Sequence, residues 1–361
     1  MQIEKRNKQV KNWLNTQLDQ ASKQDTSAYT AIPHFGEVDR ALTELIEVQA
    51  KGFRGVVITA LAGRHLDPGY SPFENFYACN PRSIFENAIW NVLDERNIPC
   101  GKSDPLNVAK NIQVLDATWA KARRPEASAL AAVYFLERVF RTEDQNERAL
   151  LESCFFHRLL HYAARIASHP VADSDTAAVS RQYLANQLIR FSLEAPESGA
   201  TPQLLVAQLL QQLFTGIRSS VHGGNESVFG TNTTSRKPAD LWLEENGKVT
   251  LLYEVTLKKV DLKRLDDLVE STRAAGQGHL PVTFICRLPE DVSTLTTLAA
   301  NTLDHKGRKI EFVDYTAFVR SSLALMSLDA AQAIQDAMRA FVGKTTTSLK
   351  TKNVWNAVFD D

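Results

Sequence analysis

The sequence predicts an α/β protein of the α+β type, with a helical N-terminal region followed by a mixed β-sheet flanked by helices. Two observations predict this fold class. Through residues 1–220, apolar side chains recur at helical spacing. From residue 237 onward, short segments with strand-like alternation are interleaved with helical ones, which is typical of a sheet joined by crossover helices. The length of 361 residues is sufficient for two domains.

The N-terminal part is predicted helix by helix from its apolar periodicity. Leu14, Leu18 and Ala21 indicate a first amphipathic helix. Further helices are predicted over residues 36–52, 83–97, 146–168, 180–195 and 201–217. Residues 219–238 are rich in Gly, Ser, Thr and Asn, which predicts a loop. We therefore expect one domain over residues 1–220 and a second over residues 221–361.

The C-terminal part begins with a predicted β-hairpin. Asn246-Gly247 lies between two alternating apolar runs, a strong hairpin signal, so residues 239–245 and 248–257 are predicted strands. Later elements are predicted helices at 261–276, 291–307 and 327–344, and predicted strands at 280–288 and 309–315. Strands that alternate with helices favour parallel neighbours reached by right-handed crossovers.

Composition indicates more about the location of the protein in the cell than about its function. The formal net charge is -1, so global charge does not indicate a nucleic-acid partner. Ten basic residues against seven acidic ones between Lys51 and Arg124 form a local surplus, which a solvated helical surface also explains. The four cysteines are scattered, the N-terminus lacks an apolar signal core, and no apolar run approaches ~20 residues. We expect a reduced cytoplasmic protein that does not enter a membrane.

Two acidic residues, Asp240 and Glu254, stand among the apolar residues of the predicted hairpin. A two-residue turn would pair Asp240 with Tyr253 and place the two carboxylates on opposite faces. A three-residue loop over 245–247 would pair Asp240 with Leu252, so that Asp240 lies diagonal to Glu254 at roughly 7 Å between backbones. We predict the three-residue loop because it also places the apolar residues of the first strand on the apolar face of the second.

Two carboxylates on one partly buried face repel each other unless one takes up a proton or a cation binds. Hard oxygen ligands select Mg²⁺ or a similar ion, which can orient water and offset charge on a phosphate. A lysine nearby can stabilise that charge, and Lys258 lies on the predicted strand row of Glu254 and Thr256. An ordinary charged, solvent-facing hairpin surface is the alternative interpretation.

At these residues the chain resembles the PD-(D/E)XK nuclease superfamily, whose pattern is Pro-Asp and then Glu-x-Lys on the neighbouring strand. Here the pattern reads Pro238-Ala239-Asp240 and Glu254-Val255-Thr256. The resemblance implies a nuclease core with Asp240 and Glu254 as Mg²⁺ ligands. Thr256 departs from the usual lysine and cannot supply its charge, so Lys258 is the substitute candidate. Glu226 and Thr256 are candidate auxiliary residues.

A longer segment, residues 69–126, resembles the N-terminal part of SacI-type restriction endonucleases. That resemblance implies a type II enzyme of a restriction-modification system, which cuts a short palindromic sequence in double-stranded DNA with Mg²⁺. Symmetric cutting requires two active sites, so a homodimer is expected. The helical region can then carry DNA recognition. The candidate DNA-binding residues are Asn80, Arg82, Arg123, Arg124, Arg236 and Lys237, whose side chains suit bases or phosphates.

Two other classes of function stay open from the sequence. A catalytically inactive DNA-binding protein on a nuclease-like scaffold is favoured by Thr256. A helical interaction protein without a DNA partner predicts no salt-dependent retention on DNA.

Overall fold

The computed structural model describes residues 3–48, 50–102, 104–173, 180–216, 218–224 and 237–360. The chain forms two compact units, Met1–His169 with Thr345–Leu349, and Pro170–Lys344 with Lys350–Asp361. This division falls earlier than the boundary predicted at residue 220, because the helices at 181–194 and 200–213 pack against the sheet rather than with the N-terminal helices. The predicted α+β class is confirmed.

The first unit is helical. Its helices are α1 (Ile3–Ala21), α2 (Phe35–Ile46), α3 (Gly52–Leu66), α4 (Pro72–Asn75), α5 (Pro81–Ile84), α6 (Trp90–Glu95), α7 (Asp104–Ala109), α8 (Ala117–Lys121), α9 (Glu126–Arg141) and α10 (Gln145–Ser168). Short 3₁₀ turns at Thr26–Ala31 and Phe76–Cys79 and a π turn at Phe85–Ile89 complete it. All four cysteines of the chain are buried free thiols.

Helix α3 is buried along nearly its whole length, from Gly52 to Gly63. The helix predicted over residues 36–52 is wrong at its end, because α2 stops at Ile46 and α3 starts afresh at Gly52. A helix that is apolar all round shows no amphipathic period, which is why α3 escaped prediction. Gly55 is required for its packing, since a Cβ there would lie 2.3 Å from the ring of Pro105.

The second unit is built on one mixed sheet of six strands. They are β1 (Ser219–His222), β2 (Leu241–Glu245), β3 (Lys248–Val255), β4 (Val282–Cys286), β5 (Thr302–His305) and β6 (Arg308–Asp314), in the order β1-β2-β3-β4-β6-β5. β3, β4 and β6 are parallel neighbours, and the outer pairs are antiparallel. The parallel neighbours agree with the strand–helix alternation of the sequence.

Helices cover both faces of this sheet. They are α11 (Arg181–Glu194), α12 (Ala200–Leu213), α13 (Leu262–Ala274), α14 (Tyr315–Ala324), α15 (Leu328–Gly343) and α16 (Leu349–Phe359), with 3₁₀ turns at Glu197–Gly199 and Glu290–Val292. Leu241, Val255 and Ile285 face a core shared with α11, α12, α14, α15 and α16. Leu252 and Phe284 face the opposite core, which α13 covers. Within the described residues, no helix is long and apolar enough to cross a membrane.

Two predicted elements of the sheet region are wrong. The helix predicted over 291–307 is replaced by the short 3₁₀ turn, further turns and β5, which pairs with β6 through a turn at Lys306-Gly307. Both turn residues have positive φ, the requirement of a tight hairpin. β1 lies in the segment predicted as a loop, because a four-residue edge strand has too few positions to show alternation.

The β2–β3 hairpin differs from the predicted three-residue loop. Glu245 pairs with Lys248 around a two-residue turn, in which Asn246 and Gly247 have φ of 52° and 75°. The ladder then shifts by one residue at a bulge, where Thr250 has no partner. From there Leu243 pairs with Leu251 and Leu241 with Tyr253, and one more step brings Asp240 across from Glu254. The predicted convergence of the two acids therefore arises from a bulge, not from the loop.

Replacing Gly247 by Ala should lower the free energy of unfolding of the second unit by about 1 kcal/mol. Nothing lies within 4 Å of the added Cβ, so the loss reflects only the positive φ. Urea denaturation measures it. Gly343→Ala is the matched control, because that Cβ is also unobstructed but the backbone φ is not positive. Equal effects at both positions would contradict the assigned turn.

Candidate active site

The two carboxylates of the hairpin interlock with the neighbouring backbone. The N–H of Asp240 donates to Oε1 of Glu254 at 3.3 Å, and the N–H of Val255 donates to Oδ2 of Asp240 at 3.1 Å. Each acid therefore accepts from the strand that carries the other. This arrangement holds both side chains on one face of the sheet, as the sequence analysis expected, but directly opposite each other rather than diagonal.

Burial makes this pair electrostatically costly. Glu254 is 7% exposed, and Asp240 is half-buried. Burial raises the pKa of Glu254 well above its ordinary value, and the adjacent Asp240 carboxylate raises it further. Burial also raises the pKa of Asp240, while the Val255 N–H and the Arg264 guanidinium oppose the shift. A bound cation would offset the cost of burying both groups in the ionised form, as would a proton on Glu254.

Arg264 is a cation that lies beside the pair, and sequence reasoning missed it. Its Nη2 lies 3.9 Å from Oε2 of Glu254, and its Nη1 donates to Oγ1 of Thr256 at 2.9 Å. The guanidinium lies over the ring of Phe284, 5.9 Å from the centroid. Asp261 caps α13 by accepting from the backbone N–H of Arg264 at 2.8 Å, so the first helical turn points the arginine back toward β3.

The signal for Arg264 was present but indirect. An Asp at the predicted start of a helix, three residues before an Arg, places that Arg on the first turn. Only the parallel pairing of β3 and β4 shows that the first turn of α13 covers the end of β3.

Lys258 does not occupy the position that strand alternation predicted. β3 ends at Val255, and Lys258 lies in a bend, where its side chain is exposed. Its backbone N–H donates to Oγ1 of Thr256 at 3.1 Å. The predicted row through Glu254, Thr256 and Lys258 is therefore wrong beyond Thr256, because the chain leaves the sheet. Thr256 itself is buried beside Glu254 and links the bend to Arg264.

An ion pair holds the segment that follows β3. Arg287 donates to both carboxylate oxygens of Asp291, at 2.7 and 3.1 Å, and also to the carbonyl of Leu257 at 2.7 Å. The carbonyl of Asp291 accepts from the N–H of Val260 at 2.7 Å. Asp291, in the segment predicted as a helix over 291–307, therefore fixes the bend before α13.

The side-chain amide of Gln203 on α12 holds the backbone of Asp240 in place. Its Nε2 donates to the carbonyl of Asp240 at 3.1 Å and to that of Gly223 at 3.3 Å. Gly223 has φ of 97°, and a Cβ there would lie 2.1 Å from the carbonyl oxygen of Asp240. The end of β1 can approach Asp240 this closely only because residue 223 is glycine.

The other candidate residues fall into two groups. Glu226 and Arg236 lie outside the described residues, whereas Lys237 is half-buried and its charge lowers the pKa of Asp240 slightly against burial. Asn80, Arg82, Arg123 and Arg124 belong to the first unit, whereas the carboxylate pair belongs to the second. Arg82 and Arg124 form exposed ion pairs with Glu86 and Glu126 at 3.7 and 3.8 Å.

The donor set fits a hard divalent cation held by two carboxylates. No group of three or more His, Cys, Asp or Glu residues gathers in metal-ligating geometry among the residues that the structure describes. Mg²⁺ is commonly bound through one or two carboxylates, with water and substrate phosphate completing its coordination. Asp240 and Glu254 would hold the ion.

No protein-family model matches the chain, and no curated protein matches it significantly.

Replacing Glu254 by Gln should raise the free energy of unfolding of the metal-free protein near pH 8, by on the order of 1–2 kcal/mol. The folded pKa lies above the unfolded one, so ionised Glu254 opposes folding at high pH. That cost disappears as the pH falls toward the unfolded pKa of about 4.3. Urea denaturation in chelator, from about pH 8 down to pH 4, should show the variant's advantage shrinking. Glu245→Gln, on the exposed hairpin end, is the control; lower stability of Glu254→Gln near pH 8 would contradict the electrostatic account.

Proposed function

We propose that the chain is a Mg²⁺-dependent nuclease that hydrolyses phosphodiester bonds in double-stranded DNA. The observation that carries the proposal is the interlocked, buried carboxyl pair of Asp240 and Glu254, two hard oxygen ligands that one divalent cation could bridge once both are ionised. The sheet order, the parallel step from β3 to β4 and the helix between them support a PD-(D/E)XK-like core.

Three residues of the chain have separate roles in this proposal. Asp240 and Glu254 bind the metal ion, which when bound orients the attacking water and offsets charge on the phosphate. Arg264 replaces the missing motif lysine, because its guanidinium has five N–H donors, of which Nη1 is engaged by Thr256. Its remaining donors can stabilise the charge that develops on a phosphoryl oxygen. Arg264, on helix α13, thus takes the role that the sequence analysis gave to Lys258.

We further propose that cutting is sequence-specific, as in a restriction-modification system. The support is the resemblance of residues 69–126 to SacI-type enzymes, together with the separate helical unit in which that segment lies. A second copy of the chain would supply the second active site that a symmetric double-strand cut requires.

A DNA-binding protein without cleavage is the second candidate. The observation that favours it is the pairing of Glu254 with Arg264, which already offsets part of the charge that a metal ion would neutralise. Retention of DNA without cutting, in Mg²⁺, Mn²⁺ and Co²⁺ alike, would select this candidate.

Metal binding and cutting should be lost together when a ligand is removed. In the wild type, 10 mM Mg²⁺ should raise the free energy of unfolding by about 1.4 kcal/mol if Kd is on the order of 1 mM. Asp240→Asn and Glu254→Gln should lose this shift and the cutting of plasmid DNA while still binding duplex DNA. Thermal melting and gel analysis measure the two effects, with Glu245→Gln as control. Normal cutting by Glu254→Gln would overturn the proposal, and digestion of a sequenced phage DNA to a smear rather than discrete fragments would overturn specificity.

Arg264→Gln should slow cutting by roughly 100- to 1,000-fold, because one preorganised donor to the developing charge is lost. Arg264→Lys should retain part of the rate, since the positive charge remains. Single-turnover cleavage at saturating enzyme measures the rate separately from binding. Arg273→Gln is the matched control, an exposed arginine farther along α13. If Arg264→Gln cuts DNA at the wild-type rate, another cation must stabilise the charge on the phosphate.

A further inference from the structure

The exposed side of α1 carries five polar residues at helical spacing: Lys5, Lys8, Gln9, Asn12 and Thr16. We call this set the α1 face. Residues three, four, seven and eleven positions apart lie along one side of a helix. The α1 face extends about 16 Å along the helix axis, at 1.5 Å per residue.

The α1 face borders a shallow groove of about 530 Å³, whose other lining residues are Trp13 and His65. The His65 ring stacks on that of Trp13, with centroids 5.3 Å apart and planes 17° from parallel. No acidic residue lines the groove. Burial lowers the pKa of His65, so the positive charge of the groove near pH 7 comes from Lys5 and Lys8.

The charges of α1 are arranged against helix stability. Basic residues cluster in its N-terminal half (Lys5, Arg6, Lys8 and Lys11) beside one acidic residue of the first turn, Glu4, whereas its last turn holds no basic residue and includes Asp19. A helix macrodipole favours the reverse order, by about 0.3–1 kcal/mol for a charge in the first or last turn. Among the described residues, Lys5 and Lys8 form no ion pair that would offset this cost. The helix dipole therefore does not account for Lys5 and Lys8, whereas an anionic partner does.

The buried side of α1 restricts the kind of partner. Val10, Trp13, Leu14 and Leu18 pack into the core of the first unit, so α1 has no free apolar side to insert into lipid. Farther along the face the lysines are followed by amide and hydroxyl side chains, which donate hydrogen bonds to phosphate oxygens as lysines do. A row of phosphates matches this pattern better than a membrane surface does.

We propose that the α1 face binds the phosphate backbone of double-stranded DNA. The choice of DNA as the polyanion rests on the proposed function, whereas the site itself rests on the charges and groove of α1. The lysines contact phosphates and read no bases, so their contribution is independent of sequence and decreases with salt.

The double variant Lys5→Gln/Lys8→Gln tests this surface. Anisotropy of a labelled 20-base-pair duplex, in chelator to prevent cutting, gives the slope of log affinity against log salt concentration. Each lost phosphate contact removes about 0.9 from the slope, so the variant should lose about 1.8. In cutting assays with Mg²⁺, KM should rise while kcat stays unchanged. Thermal stability should not fall, because the removed charges opposed the helix dipole.

Lys309→Gln/Lys344→Gln is the matched control, with the same change of charge at two exposed lysines outside the segments assigned to DNA binding. Its slope should equal that of the wild type. If the wild type binds DNA and the α1 variant keeps the full slope, this surface is refuted while the proposed function stands. If the wild type binds no duplex even at low salt, the proposed function fails and DNA fails as the partner. Binding to phosphatidylserine vesicles through Lys5 and Lys8, without DNA binding, would also overturn the proposal.

Discussion

The burial of the paired carboxyl groups of Asp240 and Glu254 is the constraint on which the arrangement at the end of the β2–β3 hairpin depends. Two acids that accept hydrogen bonds from each other's strands cannot move apart without breaking the end of the hairpin. Their desolvation is costly unless a positive charge is near. Arg264 provides part of that charge at 3.9 Å, and its position depends in turn on the Asp261 cap and on the parallel pairing of β3 with β4.

The backbone around this pair is irregular at the positions that bring the two acids and their neighbours together. A bulge at Thr250 sets the register that brings the acids together, and β3 stops at Val255 so that Thr256 can turn toward α13. Gly223 permits the close approach of β1 to the backbone of Asp240. Bulges, strand ends and glycines with positive φ weaken a regular sheet, so their concentration around two costly acids indicates a function that stability alone does not require.

Helix α1 of the other unit also carries charges in an unfavourable position. There the unfavourable feature is the position of Lys5 and Lys8 near the positive end of a helix. In one unit two buried carboxyl groups can receive a cation, and in the other an exposed basic row can receive an anion. The proposed nuclease would use the first for its metal ion and the second for DNA.

The sequence by itself determined the fold class, the strands β2, β3, β4 and β6, and the identity of the two acids. Those features depend on local periodicity, on turn residues such as Asn246-Gly247, and on side-chain chemistry, all of which act over a few neighbouring residues. It could not determine helix α3, because a helix that is buried on nearly all sides carries little amphipathic period. The strand predicted for β3 was also too long, and that error made Lys258 the candidate catalytic cation.

Only the tertiary structure decided the register of the β2–β3 hairpin and which basic side chain lies beside Glu254. A bulge depends on how two strands pack against the layers above and below them, so a single strand's sequence does not specify it. The approach of Arg264 to Glu254 joins residues from a helix and a strand whose relation is set by sheet order. Local sequence therefore determined which groups are present, and packing decided which of them meet.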